Sequence, residues 1–248
     1  MYVHKYLLDT YLPEFPTQIT KVVKMDESLA IFCSDTIFYP QGGGQPCDLG
    51  ILVIDGNTHQ VYHSETTEMG IAHLVKLDPS LLTSVGKPCI QRIDIERRLT
   101  NAKLHTAGHL LSNIIEMLDS NLVPSKGHHY PDASYIELIE NEKTNDVLSV
   151  EIINDKIDEI VNKSSRYIQS LTLNLNEAQS IRPLLSQLIP QQTQCRMIVI
   201  DGFKPLPCGG THIGKTSELK GLKVTRIKRK KDRIKVNYLI DGVNKWNL

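Results

Sequence analysis

Short apolar runs rich in Val and Ile alternate with turn-forming residues through the first part of the chain. Such runs predict strands at residues 18–25, 29–33, 49–54, 60–63, 71–77 and 89–95. Asp55-Gly56-Asn57, between two of these runs, is typical of a hairpin turn. Six short strands at this spacing predict a small antiparallel β-barrel over residues 1–93.

The apolar spacing changes near Asp94. Residues 95–118 contain no proline, and their apolar side chains recur at helical spacing, so we predict one long helix with Asp94 as its N-cap. Further strands are predicted at 134–139, 147–153 and 197–200, helices at 155–169 and 177–188, and a hairpin at 220–240 that turns at 230–232. The pattern therefore predicts an α+β fold, with a barrel domain over residues 1–93 and a mixed domain over 94–248.

Composition excludes several classes of protein. With 248 residues, 40% of them apolar, the chain is able to build a core and is not expected to be disordered. Five scattered cysteines do not form a disulfide framework, Asp9 interrupts the N-terminal apolar run, and no run is long enough to span a membrane. We therefore expect a cytoplasmic protein with no membrane partner.

Charge is balanced overall but concentrated in one place. Lys+Arg 28 against Asp+Glu 28 gives zero net charge, so there is no global attraction to nucleic acid. One dense basic run, however, covers residues 220–235 and includes Lys228, Arg229, Lys230, Lys231 and Arg233. Such a run is typical of a solvated hairpin tip, and the alternative is a surface that binds phosphates.

Two residue pairs together offer the ligands of one metal ion. His105 and His109 stand four apart on the predicted helix, about 40° apart around its axis. Cys208 and His212 flank a glycine-containing turn far downstream. One Cys and three His form a zinc ligand set, and the thiolate argues against Mg²⁺ or Ca²⁺. Ordinary buried or surface histidines are the alternative. Thr106 follows His105 where zinc proteases carry Glu, so a protease is not expected.

Three neighbouring features allow two interpretations each. Gly108 in the predicted helix indicates either close packing against another backbone or room for a ligand beside the metal. His128 and His129 are adjacent and point in different directions, so at most one extends the metal neighbourhood. The segment from Gln41 to Gln45 is glycine-rich but lacks the Lys-Ser/Thr of a nucleotide-binding loop, so no NTP site is expected.

Four segments together resemble a known family. They are AKLHTAGHLLSNII, VPSKGHHYPDASYIEL, PCGGTHIGKTSEL and FYPQGGGQPCDLG. In order and spacing they are similar to the editing domain of alanyl-tRNA synthetase, and most of all to the free-standing AlaX-type trans-editing proteins in their longer form with an N-terminal barrel. The resemblance runs from about residue 11 to residue 239. No adenylation signature is evident, so we do not expect a complete synthetase.

The resemblance implies a hydrolase that deacylates tRNA(Ala) mischarged with serine or glycine. It implies Zn²⁺ held by His105, His109, Cys208 and His212, with a zinc-associated water as the catalytic group and no protein base assigned. Zinc lowers the pKa of bound water to about 7. Four protein ligands are nevertheless typical of closed structural sites, so either one ligand is loosely held or the ion orients other groups. A non-catalytic zinc-stabilised tRNA-binding module and an editor of Ser-tRNA(Thr) are the alternatives.

The resemblance also implies contacts with the substrate. A hydroxyl that pairs with the serine side chain would spare alanine, and Thr106, Ser125 and Thr211 are the candidates, each with a local hydrogen bond as the alternative. Lys126 is implied near the pocket, and Gln45 in the glycine-rich loop over it, near the terminal adenosine. Ser125 stands where many synthetase editing domains have Gln. In this family context the basic run is predicted to bind acceptor-stem phosphates.

Overall fold

The computed structural model describes residues 4–140, 148–183 and 194–243. The chain forms two compact units, Met1–Leu99 and Thr100–Leu248. Among the described residues, no helix is both long enough and apolar enough to cross a membrane.

The first unit contains the predicted antiparallel barrel. After the short helix α1 (Lys5–Leu8), six strands close on themselves: β1 (Glu14–Lys24), β2 (Ser28–Cys33), β3 (Gly50–Ile54), β4 (Asn57–Thr67), β5 (Gly70–Lys76) and β6 (Pro88–Ile93). Their order around the barrel is β1-β2-β5-β4-β3-β6, and β6 pairs with β1 to close it. Asp55 and Gly56 turn the β3–β4 hairpin with φ of 50° and 80°, the left-handed backbone that this turn requires.

The long helix α2 (Ile95–Leu118) has the bounds that the pattern predicts. The Asp94 carboxylate accepts a hydrogen bond from the Arg97 N–H at 3.0 Å, which is the predicted N-cap contact. After α2 the described residues form α3 (Val150–Asp158), α4 (Leu175–Ile181), β7 (Leu122–His128), β8 (Tyr135–Glu140), β9 (Ile168–Asn174), β10 (Gln194–Ile200), β11 (Leu206–Pro207), β12 (Leu222–Lys230) and β13 (Arg233–Ile240).

Two antiparallel sheets belong to the second unit, with strand orders β12-β13-β8-β7 and β11-β10-β9. One face of the four-stranded sheet is buried in a core that also contains the apolar side chains of α2. That core includes Leu104, Leu111 and Ile115 of α2, Leu138 of β8 and Val236 of β13. Barrel, helices and sheets together confirm the α+β fold class.

The strand predicted at 147–153 is wrong. Residues from Val150 onward form α3, and the Ser149 hydroxyl caps it by accepting the Ile152 N–H at 3.2 Å. The helix continues as a wider π-helical turn over Glu159–Ser164. Ile153, Ile157, Ile160 and Val161 are all buried at helical spacing, so the periodicity crosses the boundary between the predicted strand and the helix predicted at 155–169. Residue 147 lies outside the described part of the chain.

Three strands, β7, β9 and the two-residue β11, were not predicted. β7 contains Pro124 and Gly127, and only Leu122 in it is buried, so its apolar signal is weak. β9 begins at Ile168, inside the helix predicted to reach residue 169. The helix predicted at 177–188 corresponds to α4, and residues 184–188 lie outside the described part of the chain. The strand at 197–200 and the hairpin at 220–240 are confirmed.

Candidate metal centre

Four side chains converge in the second unit, and we refer to them as the metal cluster: His105, His109, Cys208 and His212. His105 and His109 come from α2, and the other two come from the segment that follows β11. Their ligand atoms all lie within 4.8 Å of one another. Cys208 Sγ is 3.3 Å from Nε2 of His105 and 3.3 Å from Nε2 of His212. The structure thus brings together all four residues singled out as metal ligands.

The donor set of the metal cluster fits a zinc ion. Tetrahedral zinc with ordinary Zn–S and Zn–N bonds places sulfur and nitrogen about 3.5 Å apart, close to the two distances from Cys208 Sγ. Nδ1 of His109 is buried and has no hydrogen-bond partner in the described part of the chain. The Gly210 N–H points at Cys208 Sγ at 3.2 Å, a contact that favours a thiolate. Buried nitrogen and sulfur donors that converge in this way are suited to a divalent cation.

Burial sets the protonation states of the metal cluster. It lowers the pKa of His109 to about 3 and holds the pKa values of His105 and His212 well below the usual histidine value. Burial raises the pKa of the Cys208 thiol to about 11. The three imidazoles therefore offer neutral lone pairs at pH 7, whereas the thiol has to release a proton when it binds a metal ion.

Hydrogen bonds orient the segment that carries Cys208 and His212. Oγ1 of Thr106, on α2, lies 3.0 Å from Nδ1 of His212 and accepts the Ile213 N–H at 3.3 Å. The His212 ring is thereby held with Nε2 toward Cys208. From β10, Nη1 of Arg196 donates to the carbonyl oxygens of Cys208 and Gly210, both at 2.9 Å. Arg196 was missed by the sequence analysis, because only folding places β10 beside this segment.

His129 stacks on a member of the metal cluster. Its ring centroid lies 4.5 Å from that of His105, with the two planes 21° apart. The Tyr238 hydroxyl donates to the Leu104 carbonyl at 2.9 Å, so it accepts from Nδ1 of His129, 2.6 Å away. His128 turns elsewhere and stacks on two tyrosines. One of the two adjacent histidines thus touches the metal cluster, in line with the expectation of at most one.

Two glycines make room for His129. A Cβ atom on Gly108 would lie 2.3 Å from Cε1 of His129, and one on Gly127 would lie 2.3 Å from its Nε2. Real Cβ atoms do not approach other atoms so closely, so either side chain would displace the ring. Gly108 therefore accommodates a neighbouring imidazole, which differs from both interpretations offered by the sequence.

The residues predicted to contact the substrate lie in different environments. Thr211 is buried within the turn that carries the downstream ligand pair. Ser125 sits at a bulge in β7 and donates to the Glu137 carbonyl at 3.1 Å, a local hydrogen bond of the kind that the sequence left open. Lys126 is exposed on the same strand. Gln45 is buried in the first unit. Their substrate roles stay predictions.

The basic residues predicted to bind tRNA are exposed on the β12–β13 hairpin: Lys228, Arg229, Lys230, Lys231 and Arg233. Nη1 of Arg229 contacts Glu140 at 2.7 Å, and Nη1 of Arg233 lies 3.8 Å from a Glu137 oxygen. The hairpin therefore has the geometry that the pattern predicts, and its RNA contact stays a prediction.

Known proteins are similar in sequence to this chain over about nine-tenths of its length, although no family model matches it. The alanyl-tRNA editing protein AlaX-M of Methanosarcina mazei is 28% identical over 91% of this chain and 90% of its own. AlaX-L of Pyrococcus horikoshii is 30% identical over 91% of this chain and 54% of its own. The alanine–tRNA ligase of Methanobrevibacter smithii is 27% identical over 89% of this chain, which spans only 25% of the ligase. The chain is thus a homologue of the AlaX-type alanyl-tRNA editing proteins, as its motifs predict.

Proposed function

We propose that this chain is an aminoacyl-tRNA deacylase that acts in trans on tRNA(Ala) mischarged with serine or glycine. The observation that carries the proposal is the metal cluster, present in a chain that covers 90% of a protein named for alanyl-tRNA editing. An aminoacyl ester is already an activated bond, so a modest lowering of its hydrolysis barrier is enough.

The chain's own residues hold and orient the centre. His105, His109, Cys208 and His212 would hold zinc, which when bound supplies a Lewis acid able to polarise an ester carbonyl or activate water. Around them, Thr106 fixes the ring of His212 through Nδ1, and outer contacts of this kind strengthen metal binding. The metal cluster contains no acidic side chain, so no protein base is assigned.

Selectivity for serine over alanine would come from a buried polar group. A hydroxyl that pairs with serine is left unpaired by alanine, at a cost of about 1–3 kcal/mol. Thr106, Ser125 and Thr211 are the candidates that we propose for this role. The Thr106 hydroxyl also contacts His212 and Ile213, and the Ser125 hydroxyl donates to the Glu137 carbonyl. Gln45 is proposed to lie near the terminal adenosine, and the basic hairpin to bind the acceptor stem.

Deacylation by the purified protein tests the proposal. Ser-, Gly- and Ala-tRNA(Ala) are incubated under multiple-turnover conditions, with and without a chelator. We expect serine or glycine to be released, alanine to be spared, and the chelator to abolish release. Binding of tRNA without any release would identify a binding module, and preferential release from Ser-tRNA(Thr) would identify the other substrate.

A cysteine substitution separates catalysis from binding. Cys208→Ala removes one ligand, so deacylation should be lost, whereas tRNA affinity should stay within about twofold because phosphate contacts dominate it. Cys195→Ala is the matched control, since Cys195 is buried in the same unit and lies outside the metal cluster. Retained deacylation by Cys208→Ala would contradict the assignment of this ligand.

A further inference from the structure

The strand register aligns three lysines in one row across the four-stranded sheet. Lys228 of β12 pairs with Lys235 of β13, which pairs with Glu137 of β8, which in turn pairs with Lys126 of β7. Directly paired residues share a face of the sheet. Two residues further along β12, and therefore on the same face, Lys230 pairs with Arg233. One face of this sheet therefore carries a concentration of cations.

The neighbouring rows show which face this is. Ile234 and Val236, on either side of Lys235, are 1% and 0% exposed and belong to the core. Ile227, next to Lys228, packs against the same core. Because side chains alternate along a strand, Lys228, Lys230 and Lys235 project from the solvent side. Arg229 is paired with Ile234, so its side chain leaves the strand on the opposite face, where it forms an ion pair with Glu140.

The cations on the solvent side are only weakly neutralised. Within the described ranges neither Lys228 nor Lys230 has an acidic partner. The ammonium of Lys235 lies 3.3 Å from the centroid of the Tyr135 ring, which holds it in place without cancelling its charge. Glu137 is the acidic member of the row, and Arg233 approaches it at 3.8 Å. In a chain of zero net charge, this is a local positive surface.

We propose that this surface, the basic face formed by Lys126, Lys228, Lys230 and Lys235, binds the phosphate backbone of RNA. The proposal rests on the proposed function in taking tRNA(Ala) as that RNA. It places the proposed RNA contact on one face of the four-stranded sheet, where the basic run alone indicated only the tip of the hairpin. It also assigns unequal roles to neighbours in the basic run: Lys228 and Lys230 contact phosphate, and Arg229 does not.

Aromatic rings beside the basic face favour RNA over an acidic protein. Tyr135 lies between Lys235 and His128, and His128 stacks on Tyr130 at 4.3 Å. Cations next to stacked rings on an antiparallel sheet are typical of RNA-binding surfaces. Protein interfaces have an apolar centre. The solvent-side positions from Arg226 to Lys230 and from Arg233 to Asn237 are polar or charged.

Salt-dependent binding of an uncharged tRNA(Ala) transcript tests this inference. The face variant combines Lys126→Ala, Lys228→Ala and Lys230→Ala, and Lys235 is kept because it packs on Tyr135. Each lost phosphate contact should reduce the slope of log affinity against log salt by about 0.7–0.9. We expect a slope flatter by about two units and an affinity at least about tenfold lower at moderate salt.

Two control variants test whether an equal loss of charge elsewhere, or the loss of a neighbouring ion pair, has the same effect on binding. Lys21→Ala, Lys24→Ala and Lys76→Ala remove three exposed lysines from barrel strands, and the wild-type slope should persist. Arg229→Gln with Glu140→Gln removes the ion pair next to Lys228 without changing net charge, and it should also bind as the wild type does. A flattened slope in this second control would overturn the division of the basic run.

The outcomes separate this inference from the proposed function. Failure of the wild-type protein to bind tRNA(Ala) at low salt would contradict both the basic face and the proposed deacylase function. Wild-type behaviour of the face variant, with weakened binding of the barrel variant, would overturn the basic face and leave the deacylase proposal standing. Displacement of the RNA by polyglutamate at equal charge concentration would assign the surface to acidic proteins and overturn RNA as its ligand.

Discussion

Two buried polar centres in this chain differ in how far hydrogen bonds and ion pairs within the protein compensate for their burial. In the barrel unit, Asp48 and Arg98 are fully buried, and the guanidinium donates to both carboxylate oxygens and to the Ile37 carbonyl. The Tyr39 N–H adds a bond to Asp48 at 2.6 Å. In the second unit, the ligand atoms of the metal cluster lie within 4.8 Å of one another, and Nδ1 of His109 is buried without a hydrogen-bond partner among the described residues.

The difference indicates what each centre is for. Burial raises the pKa of the Asp48 carboxyl, and the Arg98 guanidinium opposes that shift, so the pair satisfies itself. In the metal cluster burial lowers the pKa of every imidazole, and the positive Arg196 nearby acts in the same direction. A buried group without compensation is costly. The self-satisfied pair is therefore structural, whereas the metal cluster is suited to an external cation.

Removal of two metal ligands should have the largest effect. His105→Ala with His109→Ala leaves two donors, too few to hold zinc tightly. We expect metal analysis to fall from about one zinc per chain to background. His59→Ala with His63→Ala is the matched control, a second pair four residues apart that lies in the barrel. Full zinc occupancy in the first variant would mean that the ligands lie elsewhere.

Breaking the ion pair of the barrel should lower stability without loss of metal. Asp48→Asn leaves the Arg98 charge buried and unpaired, which costs about 3–5 kcal/mol of unfolding free energy. Urea denaturation measures this loss, and zinc content at low urea should equal that of the wild type. Asp48→Asn combined with Arg98→Met should lose less than the single variant, because no unpaired charge remains. A loss below about 1 kcal/mol for Asp48→Asn would contradict a structural role for the pair.

Loss of the stacked histidine should weaken metal binding by a smaller amount. His129→Ala frees the His105 ring, and we expect zinc affinity to fall about 10–100-fold in competition with a chelator. His129→Phe restores a stacking ring and should recover most of the affinity. His128→Ala is the adjacent control and should bind zinc normally. Reduced thermal stability of His129→Ala at unchanged zinc affinity would show that His129 only fills space.

Local patterns were enough to predict much of this protein. The barrel strands, the bounds of α2 and the Asp94 cap follow from apolar spacing and from one capping residue, which act over a few neighbouring positions. The four residues of the metal cluster were singled out because two lie four apart on one helix and two flank one turn, and the structure brings them together. The strand at 147–153 failed for a related reason, since a short apolar run satisfies both periods and only Ile157 and Ile160 reveal the helix.

Other features were decided only by the tertiary structure. Arg196 and Tyr238 are distant in sequence from the residues they orient, so no local pattern connects them. The division of the basic run depends on a register shift between Val224 and Arg226 of β12. One extra residue there exchanges the two faces of the strand downstream. Sequence by itself therefore determined that the run is basic and lies in a hairpin, whereas cross-strand pairing decided that Lys228 and Arg229 lie on opposite faces of the sheet, with Arg229 paired to Glu140.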